Sequence, residues 1–329
     1  MELSNNQKDL PISILKSMYT LMLKIRLFEE FISELIMHDE IICPCHLYIG
    51  QEAIATGVCA AVKESDWVFS THRSHGHFIA KGGNIQELMA EMLGKITGCS
   101  SGKGGSMHIS APNLGLPGSS AIVAGTIPIA VGSALAFSLK GSDSVCIAFF
   151  GDGATNEGVF YESLNLAALL KLPIIFVCEN NLYSTHMSIS RCLADTDILK
   201  KVKAFGVNGT RIDGNNIFEV YNAAVQAVQI ARRGYGPYFI ECMTYRWRGH
   251  VGPSDDIEKG LRSVDELNFW QDKCPINLLE NYLIENDYML KDELLKIQES
   301  ITREIKSAYD YAKRSAYPSM DSLMRDIFM

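Results

Sequence analysis

The sequence predicts an α/β fold, a parallel sheet flanked by helices, with helical extensions at both ends. Residues 145–150, Val-Cys-Ile-Ala-Phe-Phe, form a short unbroken apolar run rich in β-formers, the signature of a strand buried on both faces of a parallel sheet. After Asn156 the residues Phe160, Leu164, Ala167, Ala168 and Leu169 take helical spacing, and Pro173 opens a second strand-like run at 174–178. Two further strand patterns, 209–213 and 238–243, bracket a helical one at 217–233 whose basic C-terminal end complements the helix dipole.

At 329 residues the chain can bury a large core. It divides into an N-terminal helical segment (1–40), the α/β domain (41–260) and a C-terminal helical segment (261–329). A net charge of −8 and a pI near 5.5 argue against the basic face that nucleic acid requires. No apolar stretch approaches the roughly 18 residues of a membrane helix, and Glu2, Lys8 and Asp9 stand where a signal peptide would be apolar; the expected location is the cytoplasm. Nine cysteines, scattered among apolar neighbours as at Cys59, Cys146 and Cys178, read as reduced core thiols. Cys43-Pro44-Cys45 stands apart: a metal or redox role is open to it, although no second cysteine pair lies near to complete a zinc set.

In chain order, Ile14 to His38 carries apolar residues at helical spacing, a long amphipathic helix that packs on its own domain or reaches over a partner. Residues 45–53, Cys-His-Leu-Tyr-Ile-Gly-Gln-Glu-Ala, make a turn feeding a small-residue helix that runs to Val62. Residues 67–83 read as a short strand ending in a polar loop with His72, Arg73, His75 and His77. As a metal site, His-x-x-His-x-His lacks an accompanying carboxylate, and Arg73 would repel a cation; an arginine that grips a diphosphate through its fork of donors is the better use. Residues 98–126, rich in glycine and serine, read as a flexible loop or a linker, without Walker spacing. Pro128 begins a helix whose Ala130, Gly132, Ala134 and Ala136 permit close approach, in the core or at an oligomer seam. A polar loop, 184–197, follows the central unit, and a charged helical pattern runs from Ser263 to Met329.

Chemistry concentrates where the two central strands end, in Gly151-Asp152-Gly153-Ala154 and in Glu179-Asn180-Asn181-Leu182-Tyr183. Right-handed crossovers bring both strand C-termini to one edge of the sheet, where open α/β folds bind ligands. Asp152 and Asn181 supply the hard oxygen donors that Mg²⁺ prefers when it also carries phosphate oxygens. Gly151 and Gly153 let main-chain amides approach the anion at the start of the following helix.

Gly-Asp-Gly followed by Asn-Asn, with Asp152 and Asn181 separated by 29 positions, resembles the thiamine diphosphate motif of thiamine-dependent enzymes. The resemblance implies a thiamine diphosphate-binding fold, Mg²⁺ held by Asp152, Asn181 and the carbonyl of Tyr183, and cofactor contacts from Gly153 and Ala154. His46 in His-Leu-x-x-Gly-Gln-Glu-Ala is similar to a substrate-facing histidine of the thiamine-dependent 2-oxoacid dehydrogenases. His72-Arg73 matches a phosphate-contacting pair, closer to the acetoin dehydrogenases than to the Tyr-Arg of mitochondrial pyruvate dehydrogenases. Residues 102–108 resemble a segment that folds over the coenzyme; Val123 falls where the aminopyrimidine ring packs, and Ala121 stands in place of a usual glycine. His250, in Tyr-Arg-x-x-Gly-His, matches the histidine that closes the active site, and with an ordinary imidazole acidity it would shuttle protons or meet carboxylate charge. Val251 replaces a serine that mitochondrial enzymes phosphorylate, and Trp270, Pro275, Ile276 and Leu278 continue the match.

The chain thus resembles the α subunit of the thiamine-dependent component of 2-oxoacid dehydrogenase complexes, in the pyruvate and acetoin branch. That implies oxidative decarboxylation or cleavage of a small 2-oxoacid or acetoin, with the acyl group passed to a lipoyl-bearing acyltransferase component. The glutamate that activates the coenzyme belongs, in that family, to a separate β subunit, so the expected assembly is α2β2. Two alternatives stand beside it: acyloin-type transfer to an aldehyde or sugar ketone, and a non-catalytic scaffold subunit.

Overall fold

The computed structural model describes residues 10–325. The charged residues Glu2, Lys8 and Asp9, and the last four positions of the expected C-terminal helical pattern, lie outside the described residues.

The chain opens with α1 (Ile12–Met37) and α2 (Glu52–Ala60), then β1 (Trp67–Ser70), α3 (Ser74–Ala80), α4 (Ile85–Met92), β2 (Gly118–Ser119) and α5 (Thr126–Leu139). The central unit is β3 (Cys146–Gly151), α6 (Gly158–Leu170) and β4 (Ile174–Asn180). A small hairpin, β5 (Tyr183–Ser184) with β6 (Met187–Ser188), leads to α7 (Ile189–Cys192), α8 (Ile198–Ala204), β7 (Asn208–Asp213), α9 (Ile217–Arg232) and β8 (Tyr238–Met243). Three helices follow, α10 (Val264–Gln271), α11 (Pro275–Glu285) and α12 (Lys291–Arg314). The expected helical run beyond Arg314 stops there; Pro318 follows, a residue that cannot continue a helix.

Six strands form one parallel sheet in the order β2-β1-β3-β4-β8-β7. Strand alternation explains why β3 is apolar throughout. Cys146, Ala148 and Phe150 pack with Ile127, Val131, Phe160 and Leu164 of α5 and α6, whereas Ile147 and Phe149 pack with Val58, Val220 and Ala227 of α2 and α9. At about 25 cal/mol per Å² of apolar surface removed from water, two filled faces make this strand a costly place to put a polar residue. A third apolar cluster joins α1, α3, α4, α11 and α12, so the first and last of these helices share one layer. Among the described residues no helix is long and apolar enough to cross a membrane.

The sheet has one strand more than the sequence pattern shows. β2 is two residues long and lies inside the glycine-rich stretch, paired in register with β1 at Phe69 and Gly118. The stretch is not a free linker either. The buried carboxylate of Glu91 accepts four main-chain N–H groups, from Ser100 (2.8 Å), Gly102 (2.9 Å), Gly104 (2.8 Å) and Gly105 (3.0 Å). On α5, Ala130 and Ala134 face the core while Ile129, Gly132 and Leu139 are exposed.

Candidate active site

In-register pairing of Gly151 with Glu179 and of Asn180 with Met243 brings the C-terminal ends of β3, β4 and β8 side by side. The chain leaves each in a turn, and the turns wall a cleft lined by His72, Arg73, Val123, Asp152, Asn181 and Arg246 among others.

Asp152 begins a 3-10 turn (Asp152–Asn156) instead of sitting directly on the start of α6. Its side chain is almost fully buried, and Oδ1 has no hydrogen-bond partner. Burial pushes the carboxyl up to about 6, partly offset by main-chain hydrogen bonds and the Arg246 charge. Gly153 keeps an ordinary φ; its role is space, since a Cβ there would come within 2.5 Å of Ser184 Oγ. The Asn181 amide is held by three hydrogen bonds: Oδ1 accepts from Arg246 Nε (3.3 Å) and from the Tyr183 N–H (3.4 Å), and Nδ2 donates to Gln51 (3.2 Å). Leu182, at φ +69°, turns the chain between them in the left-handed region, a conformation non-glycine residues rarely adopt. A buried, unpartnered carboxylate oxygen beside an oriented amide oxygen is a donor set that fits a hard divalent cation.

The histidines assemble from three segments. The rings of His46 and His72 lie 4.5 Å apart, His46 and His250 4.7 Å, His72 and His250 5.4 Å. Burial first, and then the Arg73 charge, push His46 to about 3, His72 to about 2 and His250 to about 3. The expectation of ordinary acidity for His250 is therefore corrected: all three are neutral imidazoles at pH 7, able to donate or accept but not charged. His46 Nδ1 is buried and unpartnered. These three ring systems also have the spacing of a metal cluster, yet Arg73 and Arg246 beside them favour an anion.

Arg73 sends one guanidinium nitrogen to the Leu47 carbonyl (2.8 Å) and another to the His250 carbonyl (2.9 Å). Burial, and next the Arg246 charge, disfavour its cation, an electrostatic debt that a bound anion would relieve. Arg246 donates to Thr185 O (2.8 Å) and leaves Nη1 buried without a partner. Arg246 is a cleft residue that the motifs do not single out; its signal in the sequence is an arginine three residues past a buried strand and four before His250.

Other residues separate. His75 and His77 leave the cleft for buried carboxylates: His75 Nδ1 lies 3.0 Å from Glu29, and His77 Nε2 3.2 Å from Glu179, with Tyr48 also donating to Glu179. The carboxylates missing from the local sequence come from α1 and β4. Val123 lines the cleft and is half exposed; Ala121 does not line it, although Ser120 and Ile122 on either side do. Ala154 and Tyr183 line it as well. The Gly-Gln-Glu-Ala turn is built on Glu52, which accepts the Gly50 N–H at 3.0 Å and pairs with Arg26 at 2.6 Å. Gly50, at φ +102°, lets this turn press against Tyr245 and Trp247, where a Cβ would collide with the Tyr245 carbonyl. His46 is thereby set against the segment carrying His250.

A parallel α/β sheet whose strand ends gather a buried acid, an oriented amide and two arginines has the charge pattern that suits a small anionic ligand. Comparison makes the class specific. The model of the dehydrogenase E1 component matches residues 19–321, and the chain belongs to that family. It is 40% identical over 313 residues to the α subunit of acetoin:2,6-dichlorophenolindophenol oxidoreductase of Bacillus subtilis, covering 95% of this chain and 92% of that one. It is 40% identical over 331 residues to the pyruvate dehydrogenase E1 component subunit α of Porphyra purpurea (98% and 95% covered). Against that of Rhizobium meliloti the figure is 39% over 312 residues (94% and 89%).

Proposed function

We propose that the chain is the α subunit of a thiamine diphosphate-dependent dehydrogenase acting on a small 2-oxoacid or acetoin, working with a β subunit in an α2β2 assembly and passing its acyl group to a lipoyl carrier. Membership of the dehydrogenase E1 component family supports the coenzyme and the partner. Relatives named for acetoin and for pyruvate support the substrate range over acyloin transfer or a scaffold. The observation that carries the reading in this chain is the unpartnered Asp152 Oδ1, buried beside Asn181 in a cleft with two arginines.

Asp152, Asn181 and the Tyr183 carbonyl would hold Mg²⁺, with Arg73, Arg246, His72 and the Gly153 and Ala154 amides toward the diphosphate. The chemistry that thiamine diphosphate would supply there is a nucleophilic carbon and an electron sink for breaking the carbon–carbon bond beside the substrate's oxo group. Val123 offers an apolar surface for the coenzyme's ring, and the buried walls keep water off the reacting carbon. His46 and His250, neutral at pH 7, hydrogen-bond the substrate's carboxylate or hydroxyl without contributing a competing charge, and Arg73 steadies His250 through its carbonyl (2.9 Å) and ring Nδ1 (3.4 Å).

Co-expression with a candidate β subunit and dye-coupled turnover of pyruvate, branched 2-oxoacids and acetoin tests this. Turnover that requires Mg²⁺ and thiamine diphosphate, and is lost in His250→Ala, is the expected result. Coenzyme binding without dye reduction on any of these substrates would overturn the dehydrogenase assignment.

A further inference from the structure

Cys43 and Cys45 face each other across Pro44 on the turn that delivers His46. Their sulfur atoms are 3.8 Å apart, and the Cys45 thiol also lies 3.4 Å from the Cys43 carbonyl. Cys43 is half-buried and Cys45 buried, so Cys43 is the more accessible of the two. Pro44 holds φ near roughly −65° and removes one torsion by which the thiols could swing apart.

We propose that Cys43 and Cys45 are a hydroperoxide-reactive dithiol, oxidised at Cys43 and resolved by Cys45, whose closure to a disulfide switches the active site off through His46. The environment assigns the roles. The Cys43 thiol is held below its ordinary value by the hydrogen bond with Cys45 and by a main-chain bond from Ser106, with burial opposing. Cys45 is raised, by that same hydrogen bond and by burial. The more accessible and more acidic Cys43 is thus the attacking thiol, and the buried Cys45 is the one that resolves. By contrast Cys146, Cys178 and Cys242 are fully buried, and burial pushes each thiol up, so they serve as internal controls.

The chemistry balances with a hydroperoxide as the sole oxidant. The Cys43 thiolate attacks the peroxide oxygen; an S–O bond forms as the O–O bond breaks, and alcohol or water departs, leaving a sulfenic acid. The Cys45 sulfur then attacks the Cys43 sulfur; the S–S bond forms, the S–O bond breaks, and hydroxide leaves as water with the Cys45 proton. Two electrons pass from two thiols to the peroxide.

Closure must draw the sulfurs to about 2 Å. Cys45 has little freedom for this, because its carbonyl accepts the Gly252 N–H at 2.9 Å and its neighbour in the chain is His46. On the other side Gly105 packs against Cys43, where an added Cβ would sit 3.6 Å from the sulfur. The movement therefore passes into His46, into the loop after His250, and into the glycine-rich segment over the cleft.

The test uses the chain purified with its β subunit, treated with hydrogen peroxide, alkylated and digested. The expected result is a peptide carrying both cysteines that is lighter by about 2 Da, escapes alkylation and is restored by dithiothreitol, with no such product in Cys43→Ser. Turnover of the wild type falls roughly tenfold and recovers with dithiothreitol, whereas Cys43→Ser keeps its turnover under peroxide. Full alkylation of both cysteines, or a Cys43 heavier by about 32 Da beside an alkylated Cys45, overturns the pairing. A disulfide that forms without loss of turnover overturns the switch. The mass readout does not depend on the proposed function: a preparation inactive before peroxide counts against that function alone, and the switch is then read as lost affinity for inorganic diphosphate in calorimetry.

Discussion

Replacing His72 with glutamine is predicted to make the protein less sensitive to acid. The imidazole is pushed down to about 2 by burial and by Arg73, against an ordinary value of 6.5. The sign follows from where the proton binds. Above pH 6.5 neither state holds it and His72 costs nothing; below, the unfolded chain takes up the proton while the folded one does not, and stability falls until the folded value is reached. At about pH 5 the deficit is at most about 2 kcal/mol, from about 1.4 kcal/mol per unit over about 1.5 units. Urea unfolding of wild type and His72→Gln at about pH 7.5 and about pH 5 measures it; the wild type should lose up to about 2 kcal/mol more than the variant. Inorganic diphosphate should shrink the gap, because an anion against Arg73 lets the imidazole take its proton. Parallel pH dependences for the two proteins would refute the argument, since they would mean that the cleft leaves His72 with ordinary acidity.

Three further outcomes follow from the same geometry. Asp152→Ala should fold with its melting temperature no longer raised by Mg²⁺ plus thiamine diphosphate, read by differential scanning; a shift equal to the wild type's would exclude Asp152 from the site. Arg246→Met should weaken diphosphate binding roughly 10- to 100-fold while leaving the ligand-free protein as stable or more so, because an unpartnered buried donor goes with it; calorimetry and melting together check this. Glu91→Gln removes the acceptor for two of the four N–H groups of residues 100–105 and should cost about 2 kcal/mol, with faster proteolytic nicking at 98–108; unchanged nicking would show the segment is held by something else.

What the sequence determined by itself is what local pattern can encode. An apolar run needs a parallel sheet covered on both sides, and two such runs joined by a helix put Asp152 and Asn181 at one edge, where the structure has them. The two-residue strand Gly118–Ser119 escaped notice because two residues carry no periodicity, and its pairing with β1 is a long-range fact. Partnership was decided only by the tertiary structure. His72, His75 and His77 look alike in the chain, but Glu29 and Glu179, 46 and 102 positions from their partners, take two of them out of the cleft. The glycines of 98–108 read as freedom until Glu91 gathers their amides. The acidity of His46, His72 and His250 likewise depends on burial and on Arg73 and Arg246. Desolvation and charge act through space, and only the fold sets those distances.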